Sequence, residues 1–326
     1  MVHRLRIGFI GAAIAIAMCV PGYAANLVIN PLFDSSITSD PNAVAIEASI
    51  NAAINFYETY FTDPIAVSIT FQEMTSGLGQ STWEYYNIPY TTFYNHLVSD
   101  ASTSTDSTAL AHLPSGPNNP VNGSSDINVN TANLRALGLT GFSSSLPGGA
   151  DGIIGLNTHL TDIGSPGSSG QYSLFAVAEH EIDEVLGLGS ALPSLPGGDP
   201  LPEDLFRYDS SGRRSYTASN ALAYLSIDGR TLLAQFDNQG DGGDYGDWQS
   251  NPRPAGVPPK VQDAFATPGA HPTLDPSSPE VIALDAIGYN FANPTPEPSP
   301  AILLSSALVL GALLTLGRRK LYPPIN

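Results

Sequence analysis

The most regular pattern of apolar positions lies near the start of the chain and predicts a long amphipathic helix over residues 41–60. Apolar side chains recur there every three or four positions, as they do on one face of a helix: Ile46, Ile50, Ile54, Tyr57 and Phe61. Asp40 and Pro41 predict the helix start, because an aspartate accepts from free amides and proline suits the first helical position. Residues 65–71 then alternate between apolar and polar side chains, which predicts a half-buried strand.

The middle of the chain combines short predicted elements with polar and glycine-rich loops. A second strand or ribbon is predicted around residues 82–90, and residues 99–126, mostly Ser, Thr, Asn, Pro and Gly, are predicted to be loop. We further predict a short strand at 127–129, a short helix at 130–137 and a strand at 149–157. Glycines within the last strand permit close backbone approach. We expect this strand to be an edge strand that bounds a cleft.

A helix predicted over residues 172–186 places five ionisable groups in an apolar helical pattern: Glu179, His180, Glu181, Asp183 and Glu184. Charged residues are rarely buried without a partner or a metal. His180 and Glu184 are four residues apart and therefore project from one helix face on consecutive turns. The pattern ends at Gly187. This helix is the candidate site of chemistry.

Beyond this helix the pattern becomes irregular, and we predict a loop-rich C-terminal half. Residues 204–209 and 223–229 are predicted short strands, and the second ends in an Asp-Gly hairpin signal. Residues 236–248 form a glycine-rich acidic loop. A helical turn is predicted at 261–265 and a final helix at 279–289.

The charge balance is strongly acidic, with 30 Asp and Glu residues against 12 Lys and Arg residues. Such a surface repels nucleic acids and anionic membranes and favours cation binding. We therefore expect no nucleic-acid partner.

The start of the chain resembles an export signal. Residues 1–24 combine a basic start, an apolar run and a small-x-small cleavage site, as a secretory signal peptide does. Cys19, the single cysteine, lies within this segment. The mature chain is therefore expected to have no cysteine, which excludes disulfides, thiol catalysis and cysteine-ligated zinc.

The end of the chain has three parts in a fixed order: a Pro-Glu-Pro linker at 294–298, an apolar run at 301–316 and a basic cluster at 318–320. This order resembles the PEP-CTERM sorting signal of Gram-negative bacteria, with a plain membrane anchor as the alternative. The resemblance implies transient membrane attachment, processing by an exosortase and release to the cell surface or extracellular matrix. The predicted organisation is a signal peptide (1–24), one central domain (25–293) and a sorting segment (294–321).

The sequence His180-Glu181-x-x-Glu184, followed by Gly187, resembles the active helix of zincin or metzincin-type metallopeptidases. The resemblance covers about residues 40–290 and implies an α+β, zincin-like metalloprotease fold. Such a fold has a small twisted sheet, a backing helix, an active-site helix and a loop-rich C-terminal half. It implies that His180 and Glu184 bind a metal, with Glu184 at a position usually held by histidine. Glu181 would then be the catalytic base that activates water.

The third ligand implied by the resemblance lies well downstream, as in leishmanolysin-like members. Ser190 stands where metzincins have their third histidine, so a nearby ligand is excluded. Asp247, which precedes Trp248, is the candidate, and His271 is a reserve. Zinc is the expected ion, although a set of one histidine and two carboxylates is harder than three histidines and also suits Mn²⁺ or Ca²⁺.

The function implied is that of a secreted metal-dependent endopeptidase, which hydrolyses peptide bonds in a protein or peptide substrate with a metal-activated water. The alternative is a catalytically degenerate zincin-fold protein that binds a surface or matrix. Two further interpretations stay open for the acidic groups. The His–Glu pair is a structural ion pair without a metal, or the acidic loop binds calcium and stabilises an adhesin; the loop carboxylates concerned are Asp237, Asp241, Asp244 and Asp247.

Overall fold

The computed structural model describes residues 26–163, 170–194 and 198–292. The predicted signal peptide at 1–24 and the predicted sorting segment at 294–321 lie outside the described residues. Within the described ranges, no helix is both long enough and apolar enough to cross a membrane.

The fold is α+β. The helices are α1 Ser35–Thr38, α2 Ala43–Tyr60, α3 Tyr90–Asp100, α4 Ser104–His112, α5 Thr131–Ala136, α6 Leu174–Leu186 and α7 Pro279–Ala286. The strands are β1 Val28–Phe33, β2 Ala66–Glu73, β3 Gly79–Trp83, β4 Tyr85–Pro89, β5 Asp126–Asn130, β6 Gly152–Leu156, β7 Thr161–Asp162, β8 Tyr172–Ser173, β9 Arg207–Tyr208, β10 Tyr224–Leu225 and β11 Ala234–Gln235. Short 3-10 helices occur at Pro147–Gly149 and Pro202–Phe206.

The main sheet has the strand order β1-β2-β6-β3. Strands β1, β2 and β6 are parallel, and β3 is antiparallel to β6. Val67, Ile69 and Phe71 are buried in β2 while the residues between them are partly exposed, as the alternating pattern predicts. The expectation that residues 149–157 form the edge strand is wrong, because β3 pairs with β6 and takes the edge itself.

Helices α2 and α6 lie on one face of this sheet. Helix α2 contacts β1, α6 contacts β3 and β6, and the two helices contact each other. Glycine permits the close approach of α6 to β6, because a Cβ at Gly152 would lie 2.3 Å from Cγ2 of Val185. Helix α2 is the amphipathic helix predicted from the apolar spacing, although it begins at Ala43 rather than at residue 41, and its apolar face enters the core.

Two predictions for the middle of the chain need correction. The segment predicted as one strand around 82–90 contains parts of two strands, β3 and β4, which lie in different sheets. Helix α3 follows at Tyr90, and helix α4 forms inside the segment predicted to be loop. Helix α4 has almost no apolar face, since it buries only Asp106 and Ala109. A capping box between Thr103 and Asp106 starts it.

The C-terminal half is rich in loops, as predicted, with two local differences. The first half of the predicted strand at 204–209 belongs to the 3-10 helix Pro202–Phe206, and only β9 is a strand. Residues 261–265 form no helical turn, because the Gln262 carbonyl accepts a hydrogen bond from Trp248 N instead. The hairpin β10–β11 forms as expected. After α7, the Tyr289 hydroxyl donates to the Leu186 carbonyl at 2.7 Å and attaches the end of this helix to α6.

Tyr57 connects the two long helices. Its hydroxyl, fully buried, lies 2.8 Å from the Glu179 carbonyl oxygen and 2.8 Å from Oδ1 of Asp183. Burial raises the pKa of Asp183 well above its ordinary range, with the Glu280 carboxylate adding to the effect. The Tyr57 hydroxyl donates to both the Glu179 carbonyl and the Asp183 carboxyl oxygen. The helices are thus connected through a polar contact in the core.

We expect Tyr57→Phe to destabilise the protein by about 1–3 kcal/mol, because Asp183 and a helix carbonyl are left unpaired in the core. Urea unfolding of the full-length protein measures this. Tyr60→Phe, on the same helix, is the matched control: the Tyr60 ring stacks on Phe291, a contact that the change preserves. Equal losses in both variants would contradict the role of the Tyr57 hydroxyl.

Candidate metal centre

Helix α6 begins and ends where local chemistry requires. The Ser173 side chain accepts a hydrogen bond from Ala176 N and caps the first turn. The helix ends at Gly187, whose φ of 132° disfavours any residue with a Cβ. The predicted start at residue 172 is two residues early, because Tyr172 and Ser173 form β8.

The five ionisable residues of α6 separate into two groups. Glu179 and Asp183 face the interior and are 1% and 0% exposed. His180 and Glu184 lie toward the cleft and are partly exposed, and Glu181 lies beside them with 5% exposure. Residues one helical turn apart therefore share a side, as the spacing predicts.

His180 is held in one orientation. Its Nδ1 donates to the Val261 carbonyl at 3.0 Å, which leaves Nε2 as the atom that faces the carboxylates. That Nε2 lies 3.7 Å from Oε1 of Glu184 and 3.7 Å from Oδ2 of Asp247. A backbone carbonyl that fixes the tautomer of a histidine is the usual support for a metal-binding imidazole.

A close contact between two glycines brings Asp247 to the helix. A Cβ on Gly246 would lie 2.5 Å from Cα of Gly189, so only glycine permits this packing. The turn after α6 is itself fixed, since Gly189 N donates to Oε2 of Glu203 at 2.5 Å. On the other side, Arg207 donates to the Tyr245 carbonyl. The loop before Asp247 is therefore tied to the end of α6.

Histidine and two carboxylates thus converge as the resemblance implied. Ligand atoms of His180, Glu184 and Asp247 all lie within 4.8 Å of one another, and these three residues could hold a metal ion. A tetrahedral Zn²⁺ with bonds of about 2.0–2.2 Å holds neighbouring ligand atoms about 3.3–3.6 Å apart. The two 3.7 Å separations from His180 Nε2 are close to that spacing. The donor set therefore fits a divalent cation after a small contraction.

The edge strand β3 contacts Glu184 and Glu181, the two glutamates on the cleft side of α6. Ser81 Oγ donates to Oε2 of Glu184 at 2.5 Å and orients the carboxylate. A Cβ on Gly79 would lie 2.2 Å from Oε1 of Glu181, so the Glu181 carboxyl packs directly on the strand backbone. Oε2 of Glu181 is buried without a hydrogen-bond partner in the protein.

A cleft of about 770 Å³ opens over these groups. It is lined by β3 with the turn before it, by the outer side of α6, and by residues around 242–247 and 259–267. The cleft therefore connects the three metal-binding candidates and Glu181 with the free edge of the sheet.

The electrostatics of the site favour protons or a cation. Burial, reinforced by Glu184, raises the pKa of Glu181 well above its ordinary range. Burial also acts upward on Glu184, but the nearby His180 imidazole and the hydrogen bond from Ser81 together outweigh it and lower the pKa of Glu184. Burial raises the pKa of Asp247 to about 8 against the opposing effect of His180. For His180, burial acts downward, but Asp247, Glu184 and Glu181 together outweigh it and raise the pKa of the imidazole well above its ordinary range.

The other candidates from the sequence do not join this group. Among the described residues, His271 is not part of a cluster with metal-binding spacing, and neither are Asp237, Asp241 and Asp244. Asp237 is buried, and burial followed by repulsion from Asp241 raises its pKa to about 6. Asp244 lines the cleft. Of the two third-ligand candidates, Asp247 is therefore the one that the fold places beside His180.

Several residues of the site gave no signal in the sequence. Ser81, Val261 and Gln262 belong to segments without a recognisable motif, and each contacts a metal-binding candidate only through the tertiary fold. Gln262 Nε2 lies 2.8 Å from Oδ1 of Asp247 and donates to it.

Similarity to known proteins does not assign the site. Comparison with protein-family models, curated proteins and solved structures gave no significant match. The chemistry of the site is therefore inferred from its own residues.

We expect Gly246→Ala to lower the affinity for Zn²⁺ roughly 10–100-fold, the range seen when the support of a ligand is lost. The new methyl group would collide with the Gly189 backbone and push Asp247 away from His180. Isothermal titration of the full-length protein measures the affinity. Gly116→Ala is the control, since a Cβ there meets nothing within 4 Å. Wild-type affinity in Gly246→Ala would contradict this account of how Asp247 is positioned.

Metal binding is also expected to release protons. In the metal-free protein Asp247 has a pKa of about 8, so its carboxyl is protonated below that pH and a cation has to displace the proton. His180, whose pKa is also raised, has to lose its proton as well. The affinity should therefore rise with pH between 6 and 8, about tenfold per pH unit for each proton released. Titrations at several pH values, in buffers with different ionisation enthalpies, count the protons. An affinity that is constant between pH 6 and 8 contradicts the expectation.

Proposed function

We propose that this protein is a zincin-type, metal-dependent endopeptidase that hydrolyses peptide bonds in an extended protein or peptide substrate. One observation carries the proposal: His180, Glu184 and Asp247 converge with metal-binding spacing while Glu181 lies beside them in an open cleft. Zinc is the first candidate ion, and Mn²⁺ or Ca²⁺ are the alternatives that two carboxylates allow.

The three candidate ligands and Glu181 have different roles: the ligands would hold the cation, and Glu181 transfers the proton. A divalent cation bound by His180, Glu184 and Asp247 would supply Lewis acidity, which makes a water acidic and polarises the scissile carbonyl. Glu181 takes the proton from the attacking water and then gives it to the leaving amine. Its high pKa in the metal-free protein reflects burial and the nearby Glu184. Because a bound cation offsets the charge of Glu184, it would favour the ionised base.

The edge strand supports an extended substrate. Strand β3 is the last strand of the main sheet among the described residues, and Gly79, Gln80 and Ser81 at its start line the cleft. An extended peptide that pairs with a sheet edge is held by main-chain hydrogen bonds, independently of its sequence. Ser81 and Gly79 place this edge against Glu184 and Glu181. A peptide on β3 would therefore run past the proposed base.

The chain ends support a location outside the cell. We propose that residues 1–24 direct export and that residues 294–321 give transient membrane attachment before exosortase processing. The cell surface or extracellular matrix of a Gram-negative bacterium would then be the place of action. The sequence patterns of the two segments support this part of the proposal.

A second candidate function is a non-catalytic zincin-type protein that binds a surface or matrix. One contact favours it: Gln262 Nε2 lies near both His180 Nε2 and Asp247 Oδ1, and so pairs two candidate ligands without a metal. Two of the three histidines of the usual motif are also replaced. In this case the contacts among His180, Asp247 and Gln262 stabilise the fold and do not bind a metal.

The decisive experiment combines metal analysis with a casein or gelatin assay on full-length wild type and Glu181→Gln. We expect about one bound metal per chain in both proteins and a loss of roughly 10²–10⁴-fold in activity for Glu181→Gln, the usual contribution of a general base. Glu47→Gln on α2, distant from the cleft, is the control and should keep full activity.

Two results favour the alternatives. Wild type that is as inactive as Glu181→Gln, with full metal occupancy, rejects catalysis and leaves a metal-binding protein. Wild type that binds no metal and whose melting temperature is the same in chelator and in added Zn²⁺ supports the non-catalytic candidate.

A further inference from the structure

Gln262 is a fourth polar residue at the proposed metal site. Its Nε2 lies 3.3 Å from Nε2 of His180, nearer than either the Glu184 or the Asp247 carboxylate at 3.7 Å. The same nitrogen donates to Oδ1 of Asp247 at 2.8 Å. The residue is fully buried. The terminal amide of Gln262 therefore lies among the candidate ligand atoms.

The backbone of Gln262 is fixed on both sides. Its N donates to Oε1 of Glu280 at 3.1 Å, and its carbonyl accepts from Trp248 N at 2.7 Å. The preceding carbonyl, of Val261, accepts from Nδ1 of His180. Any adjustment at this position is therefore confined to the side-chain torsions, of which the last is a broad, easily turned amide torsion.

The amide nitrogen lies where a cation would approach His180. Nδ1 of His180 donates to Val261, so Nε2 is the ring atom that faces Gln262. A metal ion requires the lone pair of that Nε2. In this orientation Gln262 presents to the candidate ligands its amide nitrogen, which is not a metal ligand.

The amide oxygen has the chemistry that the cation needs. Oε1 of Gln262 is buried and has no hydrogen-bond partner in the protein. A half-turn of the amide exchanges its oxygen and nitrogen: the nitrogen gives up its hydrogen bond to Asp247, and the oxygen takes its place among the candidate ligands. Amide oxygens are hard ligands suited to Ca²⁺ and Mn²⁺ and acceptable to Zn²⁺.

We propose that Gln262 is the fourth protein ligand of the site: its amide nitrogen contacts His180 and donates to Asp247 in the orientation seen here, and its oxygen binds the cation after a half-turn. This inference rests on the proposed metal site and deepens it. The donor set becomes one imidazole nitrogen and three oxygens, which shifts the preference from Zn²⁺ toward oxygen-seeking cations such as Mn²⁺. The amide also makes the empty site stable without a metal.

Opposite substitutions at Gln262 test the proposal. Full-length protein, stripped of metal with chelator, is titrated calorimetrically with Zn²⁺ and separately with Mn²⁺. Gln262→Met keeps the length of the side chain but removes both amide atoms, and we expect at least a tenfold loss of affinity, larger for Mn²⁺. Gln262→Glu supplies an oxygen in either orientation, and we expect affinity equal to or higher than that of wild type.

Gln249→Met is the matched control, because Gln249 is also buried and also has an unpartnered Oε1, but contacts the Pro252 carbonyl rather than the site. It should bind both ions as wild type does. Circular dichroism and thermal melts of the metal-free proteins verify folding. If Gln262→Met does not fold, the comparison of Gln262→Glu with wild type decides.

The outcomes separate the two proposals. Wild-type affinity in Gln262→Met overturns the ligand role of Gln262 and leaves the metal site intact. Weaker binding in Gln262→Glu than in Gln262→Met means that Gln262 only donates to Asp247, which also overturns the proposal. A wild-type protein that binds neither ion overturns both the metal site and its fourth ligand.

Discussion

The burial of charged groups along helix α6 is the constraint on which the rest of the structure depends. An unpaired carboxylate in the core costs several kcal/mol, and four of the five ionisable groups on this helix have a partner from elsewhere in the chain. The partners come from four separate segments: Tyr57 on α2 for Asp183, Leu274 N for Glu179, Ser81 on β3 for Glu184, and the Val261 carbonyl for His180. Satisfying the helix therefore assembles the domain around it.

Close backbone packing makes these contacts reachable. Glycines stand where α6 approaches the sheet, at Gly152 and Gly79, and where the downstream loop meets the helix end, at Gly246. At each position a Cβ would overlap a neighbouring atom. The same three contacts place β6, the edge strand and Asp247 around the helix. The polar partners thus converge because the backbones beside them can touch.

The sequence predicts those parts of the fold that depend on local periodicity. Helix α2, strand β2 and helix α6 follow from regular apolar spacing, and the His180–Glu184 pair follows from helix geometry. Helix α4 was missed because capping at Thr103, rather than an apolar face, defines it. Ser81 and Gln262 were missed for a different reason: each contacts α6 only after distant segments of the chain have packed together. The spacing of residues along the sequence does not predict such contacts.

The two sides of α6 differ in how their acidic groups are neutralised, and that difference bears on the proposed function. On the inner side, burial raises the pKa of Glu179 to about 9 and that of Asp183 well above its ordinary range. Both carboxyl groups therefore favour the neutral form in the closed core. On the cleft side, none of the ion pairs among the described residues joins a lysine or arginine to Glu184 or Asp247. His180 is their one basic partner there. A solvent-accessible face with two carboxylates, a third from Glu181 and a single imidazole is a charge arrangement that a divalent cation completes.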